Sequence, residues 1–93
     1  MRVKVSAAGA LTNSMPSGRD IIEGEDFTVQ SLLEALVTKY GSRMATELMN
    51  QGKLREGLVL LINGRNVLSL PAKYETPLRE GDEVLITIMV AGG

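Results

Sequence analysis

The stretch Val29-Gln30-Ser31-Leu32-Leu33-Glu34-Ala35-Leu36-Val37-Thr38-Lys39-Tyr40 decides the architecture. Its apolar residues Val29, Leu32, Leu33, Leu36, Val37 and Tyr40 recur at the helical period, so a helix gathers them into one stripe. Thr28 offers an N-cap oxygen just ahead of it, and Gly41 suits the position that ends it. One broad stripe covers one face of one sheet. The rest of the chain must supply that sheet.

Upstream, Met1 to Ala7 alternates, with Val3, Val5 and Ala7 on one face and Arg2, Lys4 and Ser6 on the other, as in a half-buried strand. Thr12 to Gly18 is a turn-rich break, Arg19 to Ile22 a short second strand, and Gly24-Glu25-Asp26 its end. Downstream, Ser42 to Asn50 reads as a weaker helix with Met44, Leu48 and Met49 inward and Gly52 near its end. Leu58 to Ile62 is a strand that runs into Asn63-Gly64, the strongest short hairpin signal, with Val67-Leu68 as the returning strand. Leu70 to Leu78 is a loop that drops Leu78 into the core. Glu80-Gly81-Asp82 turns the chain, and Glu83 to Val90 is the last strand. This order predicts an α+β domain: a mixed sheet of about five strands, one main helix on one face and a minor second helix. With the first and last strands as central neighbours, the arrangement is a ubiquitin-like β-grasp. The expected division is a β-grasp domain over residues 1–89 and a flexible tail over 90–93.

The 93 residues fit one small domain, and the net charge of −1 gives no case for a nucleic-acid or membrane partner. The longest apolar run, Leu58 to Ile62, is far too short to span a bilayer. The first residues lack a signal peptide's apolar centre, so the expected location is cytoplasmic. With no Cys and no His, the chain has no disulfide, no thiolate or imidazole metal site, and no Cys nucleophile or His-based triad. No metal and no bound cofactor are expected. Any sulfur it handles must sit somewhere other than a side-chain thiol.

The sequence closes on Val90-Ala91-Gly92-Gly93. Two residues without Cβ thread a slot that admits no side chain. Fully extended, Val90 to Gly93 spans about 13 Å. Together, Ile62-Asn63-Gly64-Arg65-Asn66-Val67, Thr76-Pro77-Leu78-Arg79-Glu80-Gly81-Asp82-Glu83-Val84 and the diglycine end resemble the ubiquitin-like sulfur carriers and modifiers of the MoaD and ThiS type. That group includes the small subunit of molybdopterin synthase and the small archaeal modifier proteins. Many relatives carry Phe-Pro-Pro ahead of the diglycine end; this chain has Thr87-Ile88-Met89 there, without the aromatic.

The resemblance implies that the chain is a substrate and not an enzyme. An E1-like adenylating enzyme of the MoeB type would activate the Gly93 carboxylate, consuming ATP at its own site. A persulfide route would then leave a thiocarboxylate for sulfur transfer in molybdopterin biosynthesis or tRNA thiolation. Capture by a lysine of a target protein would leave an isopeptide instead. A molybdopterin synthase large subunit is a further implied partner. Gly92, Ala91 and Val90 would thread the partner's channel, with Gly93 as the reactive terminus. The alternative is a non-catalytic β-grasp interaction module whose diglycine is incidental.

Strand parity gives a candidate docking patch. Val84, Ile86 and Ile88 share one face of the last strand; Leu85, Thr87 and Met89 share the other. Leu58, Leu60 and Ile62 split likewise from Val59 and Leu61. The more branched sets suit the helix-covered core, which leaves Val59, Leu61, Leu85, Thr87 and Met89 on the open face. Other motifs carry little. Ser14, Ser17 and Ser31 lack a base, Asp82-Glu83 reads as turn polarity, and Glu23-Gly24-Glu25-Asp26 lacks calcium-loop spacing. Lys4, Lys39, Lys53 and Lys73 read as solvated charge. Alone, the chain is expected to be a monomer.

Overall fold

Val3 and Val5 are sealed from solvent while Arg2 and Lys4 stand in it, so the alternation makes a half-buried strand, β1 (Arg2–Ala7). The computed structural model describes residues 1–8, 15 and 18–88. The chain continues through β2 (Arg19–Glu23), α1 (Val29–Tyr40), α2 (Ser42–Leu48), the short β3 (Met49–Asn50) and β4 (Lys53–Leu54), β5 (Leu58–Ile62), β6 (Arg65–Asn66) and β7 (Glu83–Ile88). Five strands form one sheet in the order β2-β1-β7-β5-β6, and β3-β4 make a separate two-stranded ribbon. β1 and β7 are parallel neighbours at its centre, with Val5 beside Val84 and Ala7 beside Ile86. The other pairs in the main sheet are antiparallel. This is the expected ubiquitin-like β-grasp.

Helix α1 begins where its cap predicts. Thr28 Oγ1 accepts the Ser31 N–H, and Ser31 Oγ accepts the Thr28 N–H at 2.8 Å, a reciprocal capping box. Ser31 therefore serves the helix start. Gly41 closes the helix with φ 87°, donating its N–H to the Val37 carbonyl at 2.8 Å. Val29, Leu32, Leu33 and Leu36 are fully buried against Val3, Val5, Ile22, Leu60, Val84 and Ile86 of the sheet. Val37 and Tyr40 pack at the margin of that cluster. Met44 and Leu48 of α2, Val67 and Leu78 complete the core, as does Met15, whose burial the polar residues around it conceal in the sequence.

Three local expectations change. The second helix stops at Leu48, and Met49-Asn50 instead pair with Lys53-Leu54. Gln51 and Gly52 turn that ribbon, both at positive φ, the geometry of a tight two-residue hairpin turn. Asn63 (φ 50°) and Gly64 (φ 85°) turn the next one, but its return strand is Arg65–Asn66 and not Val67-Leu68. Val67 is buried by leaving the sheet: Asn66 Oδ1 accepts the Leu68 N–H at 2.9 Å and starts a 3-10 turn over Val67–Ser69. Finally, Ile88 is 52% exposed and is not a core residue. Leu60 and Ile86 are the last buried β5–β7 pair; Ile88 sits beyond it, opposite half-buried Leu58.

At the β2 margin the Asp20 carboxylate accepts hydrogen bonds from Lys39 Nζ at 2.6 Å, from the Tyr40 hydroxyl and from the Ile21 N–H at 2.7 Å. Burial raises the pKa of Asp20, but the bonds from Lys39, Tyr40 and Ile21 outweigh it and hold the carboxyl below its usual value. Burial and then the Asp20 hydrogen bond push the Tyr40 phenol up to about 12.

Leu36 is 0% exposed, so Leu36→Asp buries a charge with no partner in the core cluster. Urea denaturation should show a loss of several kcal/mol. Tyr40 is neutral in the folded chain across a pH range where an exposed phenol ionises. The stability it contributes is complete below pH 10 and is lost as the pH rises toward about 12. Denaturation midpoints of wild type should therefore fall more steeply over that window than those of Tyr40→Phe.

Candidate functional site

The face of the sheet away from α1 is open, and cross-strand register decides what it carries. Opposite Leu85 of β7 lies Leu61 of β5; opposite Thr87 lies Val59. These four side chains make a strip along two adjacent strands. Leu85 is 37% exposed, and Val59, Leu61 and Thr87 are partly buried. An apolar strip on a solvent-facing sheet is held there at a cost in solubility, which a docking partner removes. The structure thus brings together Val59, Leu61, Leu85 and Thr87. Met89, Val90, Ala91, Gly92 and Gly93 lie outside the described residues.

On the β1 side the strip is bordered by Ser6, which neighbours Leu85, and by Lys4, which neighbours Glu83. Lys4 Nζ and Glu83 Oε1 are 3.9 Å apart, both well exposed, so the pair contributes little to stability. Ile21 of β2 stands across from Lys4 and is 51% exposed. These residues, with Leu61 and Asn63, line a shallow concavity of about 830 Å³. The β1–β2 register adds Ile21 to the open face. Parity of the second strand carries that signal, once the strand is paired with the first.

The end of the strip farther from the tail is pinned by side chains. Asn63 donates its N–H to the Glu83 carbonyl at 2.8 Å, and its Oδ1 accepts the Glu83 N–H at 2.9 Å. Asp82 accepts from Asn63 Nδ2 at 3.1 Å and from the Arg79 N–H at 2.8 Å. Asp82 is thus bound into the turn that starts β7. The strip runs from this pinned end toward Ile88, where the described chain stops five residues before Gly93.

Among the described residues no group of three or more carboxylates is arranged to hold a metal ion. Lys39 is paired with Asp20, Lys4 lies near Glu83, and Lys53 and Lys73 are exposed. No helix among the described residues is long and apolar enough to cross a membrane.

Residues 10–93 match the sequence profile of the ThiS family. A protein of Archaeoglobus fulgidus, named provisionally a sulfur carrier, is 36% identical over 83 residues, covering 89% of this chain and 93% of that one. The solution structure of small archaeal modifier protein 1 from Methanosarcina acetivorans superposes with a TM-score of 0.79 at 28% identity, covering 99% of this chain and 96% of that one. The crystal structure of the Haloferax volcanii modifier of the same name gives a TM-score of 0.77 over the full length of both chains. At 22% identity that likeness shows the fold alone. These proteins are named for carrier and modifier roles, not for catalysis.

If the strip is a docking surface, Leu85→Asp separates folding from binding. Its side chain is 37% exposed, so thermal unfolding should shift by no more than about 1 kcal/mol equivalent. Affinity for a protein partner that docks on this face, read by calorimetric titration, should fall about tenfold or more. Equal losses in both would return Leu85 to the core.

Proposed function

The chain belongs to the ThiS family of ubiquitin-like sulfur carriers, and from that premise we propose that its own C-terminus is the reactive group and that a partner enzyme performs the chemistry. The observation that carries this reading is the direction of the apolar strip. It lies on β7 itself and leads to the segment ending Val90-Ala91-Gly92-Gly93.

A carboxylate is a poor acyl donor because its leaving group would be oxide. An E1-like enzyme solves this by letting a Gly93 carboxylate oxygen attack the α-phosphate of ATP, which releases pyrophosphate and leaves an acyl-adenylate. A persulfide sulfur then adds to the acyl carbon and expels AMP, giving an acyl disulfide. A second thiol attacks the outer sulfur, forms a new disulfide with it, and frees the Gly93 thiocarboxylate. Sulfur has then been transferred with no thiol on this chain, which contains no Cys.

In this reading ATP and any metal are bound by the partner. The apolar strip docks on that partner with Val59, Leu61, Leu85 and Thr87. Gly92 and Gly93 pass through its channel, where a Cβ would collide. Ala91 is the next smallest residue. A second reading, capture of the adenylate by a target lysine, is favoured by the 28% identity to the Methanosarcina modifier.

The experiment is an incubation with the cognate activating enzyme, ATP and a sulfur donor. Intact mass spectrometry should show one oxygen replaced by sulfur. Because that change nearly equals oxidation of one of the five Met residues, thiol-selective alkylation is the deciding step. Deleting Gly92-Gly93 should abolish both adenylate and thiocarboxylate while leaving the fold intact. Activation of the truncated chain at the full rate would sink the carrier reading in favour of an interaction module.

A further inference from the structure

Among the described residues, the outer edge of β2 is the longest strand edge without a neighbouring strand in the main sheet. Its hydrogen-bonding pattern follows from β1. Lys4 donates to the Asp82 carbonyl and Ala8 to the Ile86 carbonyl, so the even residues of β1 face β7 and the odd ones face β2. Val3–Ile22 and Val5–Asp20 are therefore the bonded pairs of β1 and β2. Arg19, Ile21 and Glu23 turn their N–H and C=O groups outward. An edge of this kind is a template for another strand unless something blocks it.

We propose that the β2 edge is a pairing surface for a second copy of this chain, strand β2 against strand β2 and antiparallel about Ile21, and that the Asp20 carboxylate holds it closed. Self-complementarity chooses the occupant. Centred on Ile21, the register sets Arg19 opposite Glu23 of the other copy and Glu23 opposite its Arg19; Glu23 Oε1 lies 3.1 Å from Arg2 Nε of its own chain, and Oε2 is the oxygen offered across the pair. Ile21, 51% exposed, meets its own counterpart between two ion pairs. All three outward residues then meet outward residues, as an antiparallel ladder requires. Centring one residue earlier would set two Asp20 carboxylates face to face. Centring one residue later would leave Arg19 beyond the paired strands.

The closure is equally specific. Ile21 must give its N–H to the second copy, but Asp20 Oδ1 already takes it at 2.7 Å. The other carboxylate oxygen is fixed by Lys39 Nζ at 2.6 Å and by the Tyr40 hydroxyl, both on the last turn of α1. The Asp20 side chain is only 19% exposed, so it is held in place by the helix and does not swing freely. The docking strip on β5 and β7 lies on the other side of β1, so pairing through β2 leaves the exit of the tail clear.

The test is sedimentation velocity over a concentration series with the full chain. Wild type should be monomeric where Asp20→Ala shows twice the 10.0 kDa monomer mass, with dimerisation about tenfold tighter or more. Adding Arg19→Glu to Asp20→Ala should return the monomer, because the new carboxylate at position 19 then faces Glu23 of the other copy. Adding Glu23→Arg as well should restore the dimer. In the Asp20→Ala dimer, exchange of the Ile21 amide should slow as concentration rises. If circular dichroism shows Asp20→Ala to be unfolded, Asp20→Val, which fills more of the space and offers the Ile21 N–H no acceptor, takes its place in the same series. A folded Asp20 variant that stays monomeric at every concentration overturns the proposal. So does a dimer indifferent to the charge swap.

Discussion

The parallel pairing of β1 with β7 is the contact on which everything else in this domain rests. It joins the two ends of the chain, setting Lys4 beside Glu83 and Ala7 beside Ile86. Without it the β1–β2 hairpin and the β5–β6–β7 group would be two ribbons, each too small to bury α1. With it, Val3, Val5, Val84 and Ile86 form one apolar floor, and Val29, Leu32, Leu33 and Leu36 have something to lie on. The cost is kinetic: a contact between residues so distant in sequence must close nearly the whole chain before it is rewarded. The Arg2 carbonyl accepting from Gly81 at 2.8 Å, and the Lys4 N–H reaching Asp82, clamp the start of that pairing from the turn before β7.

The same pairing fixes the course of β7. A strand at the sheet's centre cannot drift sideways, because it is held on both flanks. β7 has β1 on one side as far as Ile86 and β5 on the other as far as Ile88. Pairing on two flanks gives the strand its stiffness. The polar turn Asn63–Asp82–Glu83 supplies it at the other end of the strip.

Much of this was legible in the residues. The stripe from Val29 to Tyr40, the Thr28 cap, the alternation of β1 and the Asn63-Gly64 turn are strong local signals whose periods match the elements they form. The parity that puts Leu61 and Leu85 on the open face follows from the two-residue repeat alone. What escaped has a common cause. The β3–β4 ribbon has two residues in each strand, too few to show a period, so only Gln51-Gly52 hints at it. Val67 looked like strand because it is branched and apolar, yet a 3-10 turn started by Asn66 buries it just as well. Ile88 has the core's parity but sits past the end of what the core covers. Met15 lies among polar residues, and only tertiary structure reveals its burial. For the site, Ile21 joins the open face through pairing with Lys4, which a single strand cannot announce.

The two edges of the sheet solve one problem in different ways. Any small β domain offers backbone groups at its margins to whatever strand comes by, and an uncontrolled margin invites aggregation. On the β5 side the last strand is β6, two exposed polar residues long, followed at once by the turn that buries Val67. That edge is too short to template anything. On the β1 side the last strand is five residues long, and shortening it would expose Ile22, which belongs to the core. The edge must therefore stay long, and its control passes to a side chain. Asp20 is suited to this because its own backbone faces β1 while its carboxylate reaches back to the outward N–H of Ile21. Lys39 and Tyr40, delivered by the end of the same helix that covers the core, keep it there. Core packing and edge control are thus the work of one helix: its middle turns hold the sheet together, and its last turn closes the edge of β2.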